Sequence, residues 1–336
     1  MTSPHATTTK MRTTTMRRRR RLHRPELHGQ RNTVVLQTGY GDRPFDELYP
    51  HMLIEDVGLR VMPLGLRWTE REFAVELVPS SERFEELLSE ALEPDGREGL
   101  TDSTCHFVRE TAQLAMRYGR AIYELVHLRD EDDGVAAIEF AYVPPRSITL
   151  EGDDYLQRVP DELAAQWDVP TEIRGPASDL MIFEPPIKAS VIRRTLVALA
   201  EVGRPELPGF VEKEMLGEES VGYSSTEEIR FKDLALAEVS RDLGWDMRTM
   251  FTGQETFLEY YTIVRRLRFE RFLARFRSNL VDGLNTYLAS IGEAIGESGQ
   301  LVLRGLPTEA DIDTAEASLK RGDQDFKDLL EPFSVR

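Results

Sequence analysis

The residues best able to do chemistry are few and scattered. Cys105 is the one cysteine, and His106 follows it directly. A thiol beside an imidazole is the pair a cysteine nucleophile needs. Neighbours on a helix diverge by ~100°, however, so neither side chain could serve the other. A lone cysteine also forms no internal disulfide and no zinc site by itself. The six histidines, His5, His23, His28, His51, His106 and His127, share no ligand spacing. His127 falls on an expected strand, where a core or surface role fits it better than a ligand role. "DEDDG" at 130–134 invites a calcium loop. An EF-hand needs glycine sixth and glutamate twelfth; counted from Asp130 those places hold Val135 and Ala141. The stretch therefore reads as a hairpin turn. The sequence has no GxGxxG, Walker loop, HExxH or GxSxG, and "GYGDRP" reads as a turn. No catalytic residue, cofactor or metal ligand is expected, although scattered carboxylates could still converge on a divalent ion.

Arginines are the exception to this dispersal. Arg265, Arg266, Arg268, Arg271, Arg275 and Arg277 crowd a segment with one acid, Glu270. At ~100° per residue, Arg268, Arg271 and Arg275 share one side of a helix, and Phe269, Phe272, Leu273, Phe276 and Leu280 face roughly the other way. Such a helix packs its aromatic stripe. Its arginines either pair with acids on a neighbour or contact phosphate or another subunit. Arg265, Arg268, Arg271 and Arg275 are thus the candidates for subunit or DNA contact.

A second basic cluster, Arg17, Arg18, Arg19, Arg20 and Arg21, lies in a polar, low-complexity stretch. Residues 1–32 read as a disordered basic arm, solvated or able to bind nucleic acid, with no apolar region of the kind a secretion signal needs. The chain has 42 Lys and Arg against 59 Asp and Glu, a net charge of −17. Residues 1–31 hold nine of those bases and one acid, so the remainder carries −25. A body so acidic repels phosphate at long range. At 336 residues and 40% hydrophobic, the chain is long enough for a substantial core. No apolar run approaches the ~18 residues of a membrane span, so no membrane role is expected.

These residues have to be positioned by an α+β fold, a helix plus antiparallel hairpins followed by a mainly α-helical region. Residues 33–186 form the first domain. Its N-terminal third is hard to assign up to a strand around Phe73, Val75 and Leu77. "SSERFEELLSEALE" is a helix that Ser80 or Ser81 can cap. A second helix, with Phe107, Thr111, Leu114, Ala115 and Tyr118 on one stripe, ends at Gly119, where a positive φ costs glycine little. "RAIYELVHL" and "VAAIEFAYV" make a hairpin, "SITLEGDDYLQRV" a smaller one with turn residues Glu151 to Asp154, and "DLMIFEPP" one more strand. Residues 187–250 hold a helix, "SVIRRTLVALAEV", a Pro- and Gly-rich excursion at about 204–225, and a helix that Ser225 or Thr226 caps and that ends near Gly244. Residues 251–299 are one long amphipathic helix, and 300–336 a strand, "QLVLRGLP", with two short helices.

The run "FVRETAQLAMRYGRAIYELVHLRDEDDGVAAIEFAYVPPRSITLEGDDYLQRVP" resembles the wing region of tailed-bacteriophage portal proteins, the head-tail connector family. There a helix ends in a Tyr-Gly pair, here Tyr118 and Gly119. A strand with an acidic position follows, here Glu124, then a turn to Gly134, a second strand, and Pro144, Pro145, Ser147 and Ile148. "DLMIFEPP" is similar to the family's next strand, and "RWTEREFAVELVPSSERFEELLSEALE" to the strand and helix before. The likeness covers residues 67–200; "LALAEVSRDLG" and "LVDGLNTYL" are similar to later portal helices. The chain is short for a portal and shows no long crown helix. The resemblance implies stem helices in 187–250 with a clip-like loop at about 204–225, and a homo-oligomeric ring of about twelve subunits. It also implies a virion component assembled in the host cytoplasm, a structural protein through which DNA is packaged and ejected. Its partners would be the major capsid protein, the terminase large subunit, a head-tail adaptor and duplex DNA passing through the channel. Two other readings stay open: a metal-dependent nucleic-acid enzyme using clustered carboxylates, and an interaction protein with a nucleic-acid-binding arm.

Overall fold

The computed structural model describes residues 32–33, 45–62, 73–93, 99–130, 134–202, 239, 241–245 and 259–323, with side chains of the last segment from 263 onward. The fold is α+β. Its elements, in chain order, are α1 (Leu48–Val61), β1 (Ala74–Val78), α2 (Glu82–Leu92), α3 (Leu100–Tyr118), β2 (Ala121–Arg129), β3 (Val135–Val143), β4 (Ile148–Glu151), β5 (Asp154–Arg158), α4 (Asp161–Trp167), β6 (Glu172–Pro176), β7 (Leu180–Phe183), α5 (Ala189–Val202), α6 (Glu259–Ile295), β8 (Gln300–Arg304) and α7 (Glu309–Arg321).

Local chemistry explains most of the boundaries. Ser81 caps α2 by accepting from the Phe84 N–H. Helix α3 stops at Gly119, which takes φ 82°, and strand β2 begins two residues later. The turn between β2 and β3 closes through two bonds between the same residues: Asp130 N donates to Gly134 O, and Gly134 N donates to the Asp130 carboxylate. Near the expected end of the helix after the excursion, Val239, Arg241 and Asp242 are helical, and the chain turns at Gly244, φ 75°. The excursion at 204–225, the expected caps Ser225 and Thr226, and the second short terminal helix lie outside the described residues.

The strands form three antiparallel sheets. β3-β2-β7 is the central one, β4-β5-β6 a smaller one, and β1 pairs with β8 across more than 220 positions of sequence, Ala74 opposite Arg304. The first half of strand β2, Ala121–Glu124, is buried on both faces. Ala121 and Tyr123 look into the main core, where the Phe107 ring lies 5.1 Å from Tyr123 and 5.7 Å from Phe183. Ile122 looks the other way, into a small cluster with Val143, Ile148, Tyr155 and Leu180 under the β4-β5-β6 sheet.

The main core draws on α1, α2, α3, α5, α6 and the β1-β8 pair together, so residues from Tyr49 to Leu301 share it. Each fully buried leucine, isoleucine or phenylalanine there adds ~1.5–3 kcal/mol. Polar side chains fix the docking of α6. Tyr287 Oη accepts from the Ile182 N–H at 2.9 Å. Asn285 imitates a strand neighbour for β8, accepting from Leu301 N at 2.7 Å and donating to Leu301 O at 3.0 Å. Helix α6 buries the aromatic stripe the sequence points to. It also buries Ile263, Leu267 and Ala274 against Ile312 and Leu319 of α7, a second apolar face that periodicity alone does not separate from the arginine side.

Candidate functional site

Two places concentrate charge in ways the sequence only partly announces. One is the start of β2. Glu124 is 1% exposed, on the same face as Ile122. Its carboxylate accepts from the backbone N–H of Asn32 at 2.6 Å, from the Thr33 N–H at 2.9 Å, and from the Thr33 hydroxyl. Asn32 also donates its side-chain amide to Asp179 at 3.2 Å. A buried carboxylate is tolerated only when donors surround it, and this one takes its donors from Asn32 and Thr33, some ninety positions upstream. Burial pushes the nearby Tyr155 phenol up to about 12, and the charges of Glu124 and Asp179 add to that. Tyr123, on the opposite face, closes the α3–β2 junction by sharing a 2.9 Å hydrogen bond with Thr111. The Tyr118-Gly119 pair is therefore a rigid corner: a left-handed glycine between a packed helix and a strand whose first half is buried on both sides.

The other place is α6. Arg271 reaches Asp313 and, at 2.6 Å, Glu316 of α7. Arg275 holds Glu309 through two nitrogens at 3.0 and 2.6 Å. As numbers rise along α6 they fall along α7, so the helices run antiparallel. Glu309 hydrogen bonds hold the Arg275 guanidinium above its ordinary value. For Arg271 burial pulls downward, but the bonds to Glu316 and Asp313 outweigh it. Arg265 turns inward and donates to Trp245 O at 2.9 Å. Arg268 is exposed and, among the described residues, has no hydrogen-bond or ion-pair partner. The four candidates therefore sit on one helix but in three environments. The arm arginines, Arg17 to Arg21, lie outside the described residues.

Several participants were hidden from sequence reasoning. Arg277 belongs to the arginine run but is 8% exposed; it donates to Val61 O at 3.1 Å and to Pro307 O, tying α1, α6 and the approach to α7 together. Burial lowers its guanidinium to about 10, against the opposing charge of Glu270. Arg60 pairs with Glu270 at 2.7 Å and stacks 4.6 Å above the Phe269 ring. Spacing gave a signal only for α7, where Glu309, Asp313 and Glu316 recur at helical intervals.

Cys105 and His106 sit in unlike surroundings. Cys105 is buried and His106 exposed; burial, with the Asp102 charge, pushes the thiol up to about 12. His127 is half-buried, its pKa lowered by burial and by Arg129. Among the described residues no group of three or more His, Cys, Asp or Glu side chains could hold a metal ion. No described helix is long and apolar enough to cross a membrane.

No family model matches the chain, and no curated protein matches its sequence. Among solved structures it is similar to a chain of one described as "Virion of native gene transfer agent (GTA) particle", with 12% identity, 82% of each chain covered and a TM-score of 0.41. At that level the likeness assigns no role.

Proposed function

We propose that the chain is a structural, non-catalytic component of a phage-like virion: a portal-type protein whose copies close into a ring around a passage for duplex DNA. The observation that supports this most is how the portal-like run folds. Helix α3, the Gly119 corner, the β2-β3 hairpin with its buried acidic position Glu124, and strand β7 form one continuous unit in the order the resemblance implies. That unit is clamped to the long helix α6 through Tyr287, and Phe183 meets the Tyr287 ring at 5.8 Å. A rigid wing braced by a long helix suits a part that keeps its shape while a polymer moves past it. The acidic remainder of the chain suits it too, because a like-charged wall does not hold the polyanion. On this reading the partners are further copies of the chain, the capsid protein, the terminase, a head-tail adaptor and the DNA in transit.

Negative-stain electron microscopy of the purified chain tests the reading. Rings with a central hole, about twelve subunits around, are expected. Magnesium-dependent cleavage of DNA, abolished by changing one carboxylate, would replace it with the enzyme reading.

A further inference from the structure

The arginine side of α6 is covered by a helix whose facing side is acidic. We infer that α7 is an intramolecular decoy for duplex DNA: its carboxylates occupy Arg271 and Arg275, and moving α7 aside uncovers a phosphate-binding track formed by Arg268, Arg271 and Arg275. The inference rests on the reading of the chain as a conduit for duplex DNA, and it says how the body's densest run of arginines is kept from gripping the polymer.

Four observations support it. First, Arg268, Arg271 and Arg275 repeat at three- and four-residue intervals, so their guanidinium groups form a row along one face. Second, Glu309, Asp313 and Glu316 repeat at four and three along α7, and the antiparallel register sets them against Arg275 and Arg271. A carboxylate offers guanidinium two oxygens as a phosphate does, so the same arginine geometry serves either partner. Third, the attachment is local. α7 packs Ile312 and Leu319 on Ile263, Leu267 and Ala274 in a cluster apart from the main core, and of its ion pairs the Arg275–Glu309 one is open to water, Arg275 51% and Glu309 37% exposed, while Arg271 and Glu316 are 28% and 21% exposed. Exposed pairs of this kind weaken with salt and yield to a competing polyanion. Fourth, α7 needs no help from α6 at its ends. Thr308 and Asp311 form a reciprocal capping box, and Gly322 closes the other end at φ 71°. It is a finished helix whose apolar contact is separate from the main core, so it can move without opening that core.

The approach to α7 agrees with this. Arg277 holds Pro307 O, and β8 is fixed to β1, so the chain is anchored just before the helix starts. Displacement would swing α7 about residues 305–308 and leave α6 in place.

The test uses full-length chain carrying R17Q, R18Q, R19Q, R20Q and R21Q throughout, so that the arm does not dominate binding. Anisotropy of a labelled duplex is read for this parent, for E309Q/D313N/E316Q, and for the same triple variant with R271Q/R275Q. The triple variant is expected to bind roughly tenfold or more tightly than the parent at about 50 mM salt, with log K falling more steeply against log salt by about two units. The added arginine changes should abolish that gain. Unchanged affinity in the triple variant, or a gain that survives R271Q/R275Q, overturns the inference. If the triple variant loses its fold, E309Q alone carries the test: freeing Arg275 should steepen the salt slope by about one, and an unchanged slope overturns the inference. Mass photometry of the same samples separates this from the ring itself, since a ring without the affinity gain refutes only the decoy, and a monomer refutes the ring.

Discussion

Glu124 and Thr33 lie 91 positions apart in sequence, yet the Glu124 carboxylate accepts both the backbone N–H of Thr33, at 2.9 Å, and its hydroxyl. This bond fixes Asn32 and Thr33 to the start of β2. It also explains why an ionisable side chain sits on a strand face that otherwise holds Ile122 against Tyr155 and Leu180.

Replacing Glu124 by Gln should therefore do more than remove a charge. One oxygen becomes an NH2 group that points at donors, leaving them unpaired. A loss of about 2–3 kcal/mol is expected in urea denaturation. Limited proteolysis should cut faster on the N-terminal side of Asn32 in the variant. An unchanged midpoint and unchanged cleavage would mean the anchor has no energetic weight.

Gly244 ends a helical turn at φ 75° against the α6 backbone. A Cβ there would lie 2.7 Å from Phe269 N and 2.9 Å from Arg265 O. Both contacts are main chain and cannot swing away. Gly244→Ala is expected to cost at least about 2 kcal/mol, from left-handed strain plus overpacking. Thermal denaturation of the variant reads this directly, and a melting curve that overlays the parent would contradict the packing described.

Acid should loosen α7 before it unfolds the body. The backbone and hydroxyl of Thr308 hold the Asp311 carboxyl below its usual range, and Lys320, then Arg271, do the same for Glu316. A carboxyl lowered in the folded state adds stability that is present above its ordinary value of about 4 and is lost as pH falls through the lowered one. Amide exchange of residues 309–321 should accordingly accelerate below about pH 4 while α3 stays protected. Asp311→Asn should remove part of that pH dependence. Equal acceleration in α3 and α7 would show that the two do not come apart separately.

Cys105 gives a test of burial. Its thiol is raised to about 12 chiefly by burial, so the folded state favours the neutral form: that stability is in place below the ordinary thiol value and fades as pH rises through the raised one. A disulfide reagent at about pH 8 should leave the native protein nearly unmodified and label one thiol per chain in denaturant. Rapid labelling of the native chain would show that α3 opens readily.

Much of this architecture is legible in the sequence because periodicity is local. The β2-β3 hairpin, the Gly119 stop, the Ser81 cap and the aromatic stripe of α6 each declare themselves within a few residues. Helix α1 does not. "LYPHMLIEDVGLRV" buries Tyr49, Pro50, Leu53, Ile54, Asp56, Val57, Gly58 and Val61, so no polar face alternates with an apolar one. Helix α4 and strand β6 are short and largely exposed, which leaves little pattern to find. The decisive polar contacts are illegible for another reason. Trp245 donates to Asp56 at 2.8 Å inside the core, and Glu124 meets Thr33, but neither pairing has a local signature. For the arginines of α6, spacing identifies the row, and only the fold shows which acids meet it.

Mass photometry of the purified full-length chain, taken across a range of salt and protein concentration, tests the central claim most directly. A ring-forming structural protein should give a dominant species near twelve times, or a similar whole-number multiple of, the 38.4 kDa chain. A single population at 38.4 kDa under every condition would contradict it.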